Sequence, residues 1–303
     1  MKYQILLIGG NGFVGRVLAR KLQTAGYSVL LPTRHLAAAR DLRLLPNIHL
    51  VEADVNQAKV VQSLCAQLSD QGIVINLIGM LHDRPAQPYG NHFKQAHVDL
   101  PRHIIAAMQA LKLKRYLHMS ALGADSAGPS MYQRSKGDGE KLVKESSLDW
   151  TIFRPSVIFG AEDQFINLFV KLTSISPVIP LAHANALFQP VSVDDVASAF
   201  SQSLQRVQTI HQVYDLVGPE IFSMADLVRF AARKANKPGW IIPLPGAIGY
   251  LQALAFEYGP GPTLMSRDNI ASMSLPNVLP SQGRDALTLD FGLARKRLES
   301  MLA

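Results

Sequence analysis

The chain has 303 residues, 48% of them hydrophobic and 17% charged, against roughly 25% charged in ordinary soluble domains. This excludes a disordered chain and suits one large or two modest domains. Lys and Arg outnumber Asp and Glu by 30 to 23, and this net charge of +7 suits an anionic partner such as a phosphorylated cofactor, a nucleic acid or an acidic membrane face. A single cysteine, Cys65, excludes an intrachain disulfide and a thiolate metal cage, and fits a reducing compartment.

Tyr3–Ile8 reads as a buried first strand. The apolar run is too short for a signal peptide and stops at two glycines. A helix is expected over Phe13–Ala25 with Gly26 as its cap, then strands over Ser28–Pro32 and Ile48–Glu52. A helix over Val55–Leu68 and a fourth strand over Ile73–Ile78 follow, then a loop rich in proline and glycine to Gly90. His92–Leu111 reads as one long helix, Arg115–Met119 as a fifth strand, Met131–Glu145 as a helix and Trp150–Phe153 as a sixth strand. Strands alternating with helices specify an α/β doubly wound parallel sheet covered on both faces.

Beyond Arg154-Pro155 the pattern loosens. Phe165–Ile175 reads as a helix, Pro190–Val196 as a short strand feeding an aspartate-capped helix, and Gln212–Val217 as a strand returning to the main sheet. Ser223–Lys234 is an amphipathic helix with a serine cap, and Pro238–Leu289 is rich in proline and glycine. The expected division is residues 1–160 for a nucleotide-binding domain and 161–303 for a smaller, interleaved lobe. Pro238–Phe256 carries no charge, but Pro243, Pro245, Gly246 and Gly249 interrupt any spanning helix there. That stretch, with Trp240 and Tyr250, is either ordinary core, the lining of a long apolar pocket or a membrane-surface element.

Gly9-Gly10-Asn11-Gly12-Phe13-Val14-Gly15 follows the first strand and opens the first helix. Gly9 permits the tight turn, Gly12 lets the backbone approach a pyrophosphate, and Gly15 allows close helix–strand contact. The helix N-terminus then offers free N–H groups and a partial positive charge to phosphates. Position directly after a strand is what gives the glycines meaning. The second strand runs into Leu31-Pro32-Thr33-Arg34-His35, with no acid where NAD sites hold the ribose hydroxyls. Arg34 suits the 2′-phosphate of NADP through its bidentate fork, so NADP is expected and NAD is the alternative. Asp54-Val55 is placed to cap the adenine end, and Leu77-Ile78-Gly79 to pass beside the adenosine half.

Tyr132 and Lys136 stand at i and i+4 of a predicted helix and share a face. An ammonium beside a phenol favours the phenolate and is expected to lower its pKa. Such a tyrosine exchanges a proton at a carbonyl or alcohol oxygen while a hydride moves. Ser120, after the fifth strand, is placed to orient the same oxygen.

The glycine turn, Ser120 and Tyr132-x-x-x-Lys136 together resemble the extended and atypical short-chain dehydrogenase/reductase superfamily. Arg154-Pro155-Ser156-Val157-Ile158-Phe159-Gly160 and Val191-Ser192-Val193-Asp194-Asp195-Val196-Ala197 are similar to its later blocks. The tail Gly259-Pro260-Gly261-Pro262-Thr263-Leu264-Met265-Ser266-Arg267-Asp268-Asn269, with Leu275-Pro276-Asn277-Val278, resembles the branch related to the dehydrogenase-like accessory subunit of respiratory complex I. The resemblance implies a Rossmann-type lobe, bound NAD(P) and a smaller lobe over the nicotinamide. It implies that Gly9, Gly12, Phe13, Val14 and Gly15 hold the pyrophosphate, that Arg34 meets the adenosine phosphate, that Lys136 holds the nicotinamide ribose and that Pro155 lies near the nicotinamide. It also implies links to quinone metabolism or to assembly of membrane complexes, and members that keep the dinucleotide as a structural part.

The nine histidines form no metal-binding spacing, so no metal site is expected. His82 reads as an exposed loop residue that could face the nicotinamide. The basic excess has no dense run, Arg34, Arg40 and Arg43 coming closest, which argues against nucleic-acid binding. The expected function is an NADP(H)-dependent oxidoreductase acting on a carbonyl or quinone-like small molecule. Its rivals are a cofactor-bound assembly or scaffold protein of a membrane respiratory complex and a nucleotide-sugar epimerase or dehydratase. The expected location is cytoplasmic, with peripheral attachment to the inner face of a membrane as the alternative.

Overall fold

The computed structural model describes residues 2–258 and 265–302; Gly259–Leu264, part of the tail behind the branch resemblance, lie outside the described residues. The first half of the chain runs β1 (Tyr3–Ile8), α1 (Phe13–Thr24), β2 (Val29–Thr33), β3 (Ile48–Glu52), α2 (Ala58–Cys65), β4 (Leu68–Asn76), α3 (Asn91–Lys94), α4 (Leu100–Ala110), β5 (Arg115–Met119), α5 (Met131–Lys144) and β6 (Asp149–Pro155). The second half adds β7 (Ile158–Phe159), α6 (Phe165–Ile175), β8 (Val178–Ala182), β9 (Leu187–Phe188), β10 (Val191–Ser192), α7 (Val193–Ser203), β11 (Gln212–Leu216), β12 (Phe222–Ser223), α8 (Met224–Lys234), β13 (Trp240–Leu244), α9 (Gly246–Tyr258), α10 (Arg267–Ser272) and α11 (Ala286–Leu289).

Seven parallel strands form the central sheet in the order β11-β6-β5-β4-β1-β2-β3. The architecture is α/β and Rossmann-like. Strand order reverses between β1 and β4, which opens a crevice at their carboxyl ends. The first strand explains the two-sided burial. Ile5 and Leu7 pack on one face with Leu18, Leu31 and Phe153, while Leu6 and Ile8 pack on the other with Val61, Ile104 and Tyr116. A strand covered on both faces reads as a continuous apolar run because neither face meets water. Cys65 lies in the second of these cores, where burial pushes its thiol up to about 12. A separate core of Phe159, Ile166, Phe188, Leu227 and Phe230 joins α6 to α8 in the second half. β11 returns to the main sheet and pairs with β6 from Gln212 to Leu216.

Three local expectations are corrected. The helix after the third strand ends at Cys65, and Leu68 belongs instead to β4, where it pairs with Tyr3. The long helix over 92–111 is two α-helices joined by a π turn at Gln95–Asp99. α7 is capped by the Ser192 hydroxyl, which accepts from Asp194 N at 3.2 Å, and the two aspartates follow in the first turn. A hydroxyl one residue before the helix reaches its open amides better than a carboxylate already inside it.

Candidate functional site

The crevice is built from the ends of β1, β4 and β5 and from helices α1 and α5. Gly9 turns the chain at φ +81°, and a side chain there would press on Leu77 C at 3.2 Å. Gly12 is the N-cap of α1 and offers no capping side chain. Its own N–H returns to Gly9 O at 3.1 Å. The amides of Phe13 and Val14 follow in the first turn, where a helix has no internal acceptor for them. A Cβ on Gly15 would strike Gly9 O and lie 2.6 Å from Gly10 C. The helix end is thus drawn onto the turn with its amides open, which is the cradle a pyrophosphate needs. The Phe13 ring faces the other way, 3.0 Å from where a Cβ on Gly160 would be. Residue 13 can therefore meet a phosphate only through its backbone.

Asn11 ties this turn to β2, donating from Nδ2 to Thr33 Oγ1 at 2.9 Å. The next residue, Arg34, is exposed. Arg16 and Arg20 on α1 both pair with Asp41, whereas no carboxylate pairs with Arg34 among the described residues. Asp54 Oδ1 is occupied by Asn56, which donates from N at 3.2 Å and from Nδ2 at 2.9 Å, and Val55 is buried behind it. At the end of β4, fully buried Asn76 accepts from Ile78 N at 3.1 Å and shapes the bend through Leu77 to Gly79.

Helix α5 carries the side chains with chemistry. Lys136 Nζ donates to Met119 O at 3.2 Å and lies 3.4 Å from where a Cβ on Gly79 would stand. The ammonium is therefore held between the ends of β5 and β4. Burial brings its pKa down to about 8, with Glu140 opposing. Tyr132 is half-buried and packs edge-on to His97 at 5.6 Å and to Phe93 at 6.0 Å. Burial pushes its phenol up to about 12. The expectation that Lys136 lowers it is corrected: loss of water around the phenol is what shifts it, and the Lys136 ammonium has its hydrogen bond to a backbone carbonyl instead.

Ser120 follows β5, its N–H bonded to Phe153 O at 2.7 Å. Its Oγ is buried and completes no hydrogen bond with another protein atom, although it lies close enough to Glu140 to help stabilise that carboxylate. Burial raises Glu140, but the fork from Arg154, at 2.7 and 2.6 Å, outweighs it and holds the carboxyl below its usual range. Pro155, at the end of β6, is buried and its carbonyl accepts from Leu122 N at 2.9 Å.

Three residues of this neighbourhood, His97, Asp268 and Asn277, escape local sequence reasoning. His97, on the π turn, accepts from Met80 N through Nε2 at 3.0 Å. That fixes its proton on Nδ1, which donates to Ser135 Oγ at 2.8 Å, and Ser135 donates onward to Tyr132 O at 2.9 Å. Burial and the nearby Lys136 hold His97 well below 6.5, so it stays neutral. Asp268 accepts from Met131 N at 2.6 Å and from Tyr132 N at 3.1 Å. Asn277 accepts from Ser156 Oγ at 2.6 Å and donates to Leu122 O at 3.3 Å, fastening the tail across the ends of β6 and β5. His82 is also corrected: it is half-buried, its Nδ1 is enclosed without a partner, and burial lowers its pKa despite nearby Asp268 and Glu257. No group of His, Cys, Asp and Glu among the described residues could hold a metal ion.

The family described as NAD(P)H-binding matches residues 9–205. The chain is 31% identical over 218 residues to NADH dehydrogenase (ubiquinone) 1 alpha subcomplex subunit 9 of Dictyostelium discoideum, covering 72% of this chain and 60% of that protein. The corresponding subunit of Arabidopsis thaliana is 28% identical, with 94% of this chain and 73% of that protein covered. The chain thus spans about 60% of the length of the first of these relatives. Among solved structures, a nucleoside-diphosphate-sugar epimerase from Staphylococcus aureus superposes with a TM-score of 0.76 at 13% identity, over 100% of this chain and 99% of that one. At that identity the likeness is one of fold.

Proposed function

We propose, from the premise that the chain belongs to the NAD(P)H-binding family and to its extended short-chain dehydrogenase/reductase branch, that it is an NADP(H)-dependent oxidoreductase acting on a carbonyl or quinone-like group. The observation that carries this reading is the placement of Lys136 between the ends of β4 and β5, one turn along α5 from Tyr132. The residues present fit a dinucleotide. The amides of Phe13 and Val14 would take the pyrophosphate, Lys136 the nicotinamide ribose and Arg34 the 2′-phosphate. The exposure of Arg34, which pairs with no carboxylate among the described residues, and the lack of an acid after β2 favour NADP over NAD.

When bound, the reduced nicotinamide supplies a hydride. Tyr132 supplies the proton: with its pKa near 12 the phenol is fully protonated at neutral pH and acts as the acid at the substrate oxygen. On a carbonyl substrate the phenol would give its proton to the oxygen as the carbon took the hydride, which leaves an alcohol and a tyrosinate. Lys136, on the same face one turn along the helix, would supply a positive charge to that side of the site. The buried Ser120 hydroxyl, which forms no hydrogen bond among the described residues, would donate to the same substrate oxygen. Tyr132→Phe should cut NADPH-dependent reduction of a carbonyl and quinone panel by about 10²–10⁴-fold, with NADPH affinity unchanged. Undiminished turnover would remove this mechanism.

A second reading is a cofactor-bound assembly or scaffold protein at a membrane respiratory or quinone-related complex. A specific surface favours it: Trp240, Ile242, Ile248, Tyr250, Leu251 and Tyr258 are all exposed on β13 and α9. Six large apolar groups exposed on two consecutive elements are what an interaction surface would present. Among the described residues no helix is long and apolar enough to cross a membrane, so attachment on this reading is peripheral. Its test is fractionation with pull-down from membranes. A chain found wholly in the supernatant with no companion protein sinks this alternative.

A further inference from the structure

Helix α5 is capped twice. Its own box is complete: Ser130 Oγ accepts from Gln133 N at 3.1 Å, and Ser130 N donates to Gln133 Oε1 at 3.3 Å. One such box suffices to start a helix, and water usually serves the other first-turn amides. Here those two amides, of Met131 and Tyr132, are instead taken by the carboxylate of Asp268, more than 130 residues away and buried without an ion pair among the described residues. Burying an unpaired carboxylate is costly. Helix stability alone does not call for it.

The neighbour of Asp268 supplies the reason. Arg267 reaches in the opposite direction, onto α9. It donates to Glu257 at 2.9 and 3.2 Å and to the Tyr250 and Tyr258 hydroxyls at 3.3 Å each. A second capping box, Ser266 with Asn269, fixes the turn that carries both residues. Two consecutive side chains therefore connect the apolar helix α9 to the backbone of Tyr132.

We propose that Arg267-Asp268 is a bracket through which α9 sets the position of Tyr132, with Asp268 as a positioning residue that acts through the Met131 and Tyr132 amides. The effect on turnover rests on the oxidoreductase reading; the mechanical link does not. The test is site-resolved amide hydrogen exchange on the full chain, for wild type, Arg267→Ala, Asp268→Asn and Asp268→Ala. Met131 and Tyr132 amides should exchange about fivefold faster in Asp268→Ala, the size of one lost cap. They should also quicken in Arg267→Ala, whose side-chain hydrogen bonds among the described residues go to α9. Asp268→Asn keeps one acceptor oxygen and should recover part of the protection, and with Arg267→Ala it carries the test if Asp268→Ala fails to fold. Unchanged exchange at Met131 and Tyr132 in Arg267→Ala overturns the bracket.

With NADPH and phenanthrenequinone, Asp268→Ala should lower kcat while the KM for the quinone and the affinity for NADPH hold. A variant with quickened exchange and undiminished kcat overturns the positioning role. A wild-type chain inactive on every quinone and carbonyl offered would count against the oxidoreductase reading, and the exchange result would then decide the bracket by itself.

Discussion

Helices α1 and α5 both start at the carboxyl edge of the sheet, and their first turns are finished in opposite ways. α1 begins with glycine and leaves its amides open. α5 begins with serine, and its first three amides go to Ser130 and Asp268. The difference separates two uses of a helix end. An open end is a seat for an anion, while a closed end is a fixed mount for side chains further along, here Tyr132 and Lys136.

The contrast can be broken at several points. The largest effect is expected at Lys136. Its pKa falls from 10.5 to about 8 in the fold, so the charged form is disfavoured there. Below pH 8 the folded chain carries the full cost, about 3 kcal/mol; the cost shrinks as pH rises from 8 to 10.5 and vanishes above that. The stability of Lys136→Met relative to wild type should therefore be greater by about 3 kcal/mol at pH 7 than above pH 10.5, as read from denaturant melts across pH. A difference that stays constant across that range would mean that the ammonium is not desolvated.

Next comes the open end. Gly15→Ala forces a methyl against Gly9 O and Gly10 C, and overpacking of this kind costs about 1–3 kcal/mol. NADPH affinity by fluorescence titration should fall roughly ten- to hundredfold. Full-strength binding would move the phosphate seat elsewhere. Arg34→Ala removes one charge-assisted contact and should weaken NADPH by roughly tenfold or more while leaving NADH alone. Equal losses for the two nucleotides would refute the assignment of Arg34 to the 2′-phosphate. The smallest change is expected from Ser130→Ala, about 1 kcal/mol by thermal melt. Asp268 still holds two of the three amides in that variant, so a much larger loss would show that the second cap contributes little.

What could be read in the chain beforehand follows from the range of each interaction. β1 was legible because every residue from Ile5 to Ile8 is buried, and the glycine turn because its spacing is local. The shared face of Tyr132 and Lys136 follows from helix geometry alone. The direction of the phenol's pKa does not, because burial by Phe93 and His97 comes from another helix. A π turn adds one residue without disturbing the apolar periodicity on either side, so His97 was hidden inside what reads as one helix over 92–111. Asp268 and Asn277 act on residues more than a hundred positions away, and no local pattern announces such partners.

Cys65 has a practical consequence. The only thiol in the chain is enclosed in the core and holds its proton well past neutral pH. A maleimide dye would pass it by, since the thiolate is the reactive form. A cysteine placed at Ile248 or Leu251 would then be the sole point of labelling, and an environment-sensitive fluorophore there would report directly whether α9 is wetted by water or covered by lipid or protein.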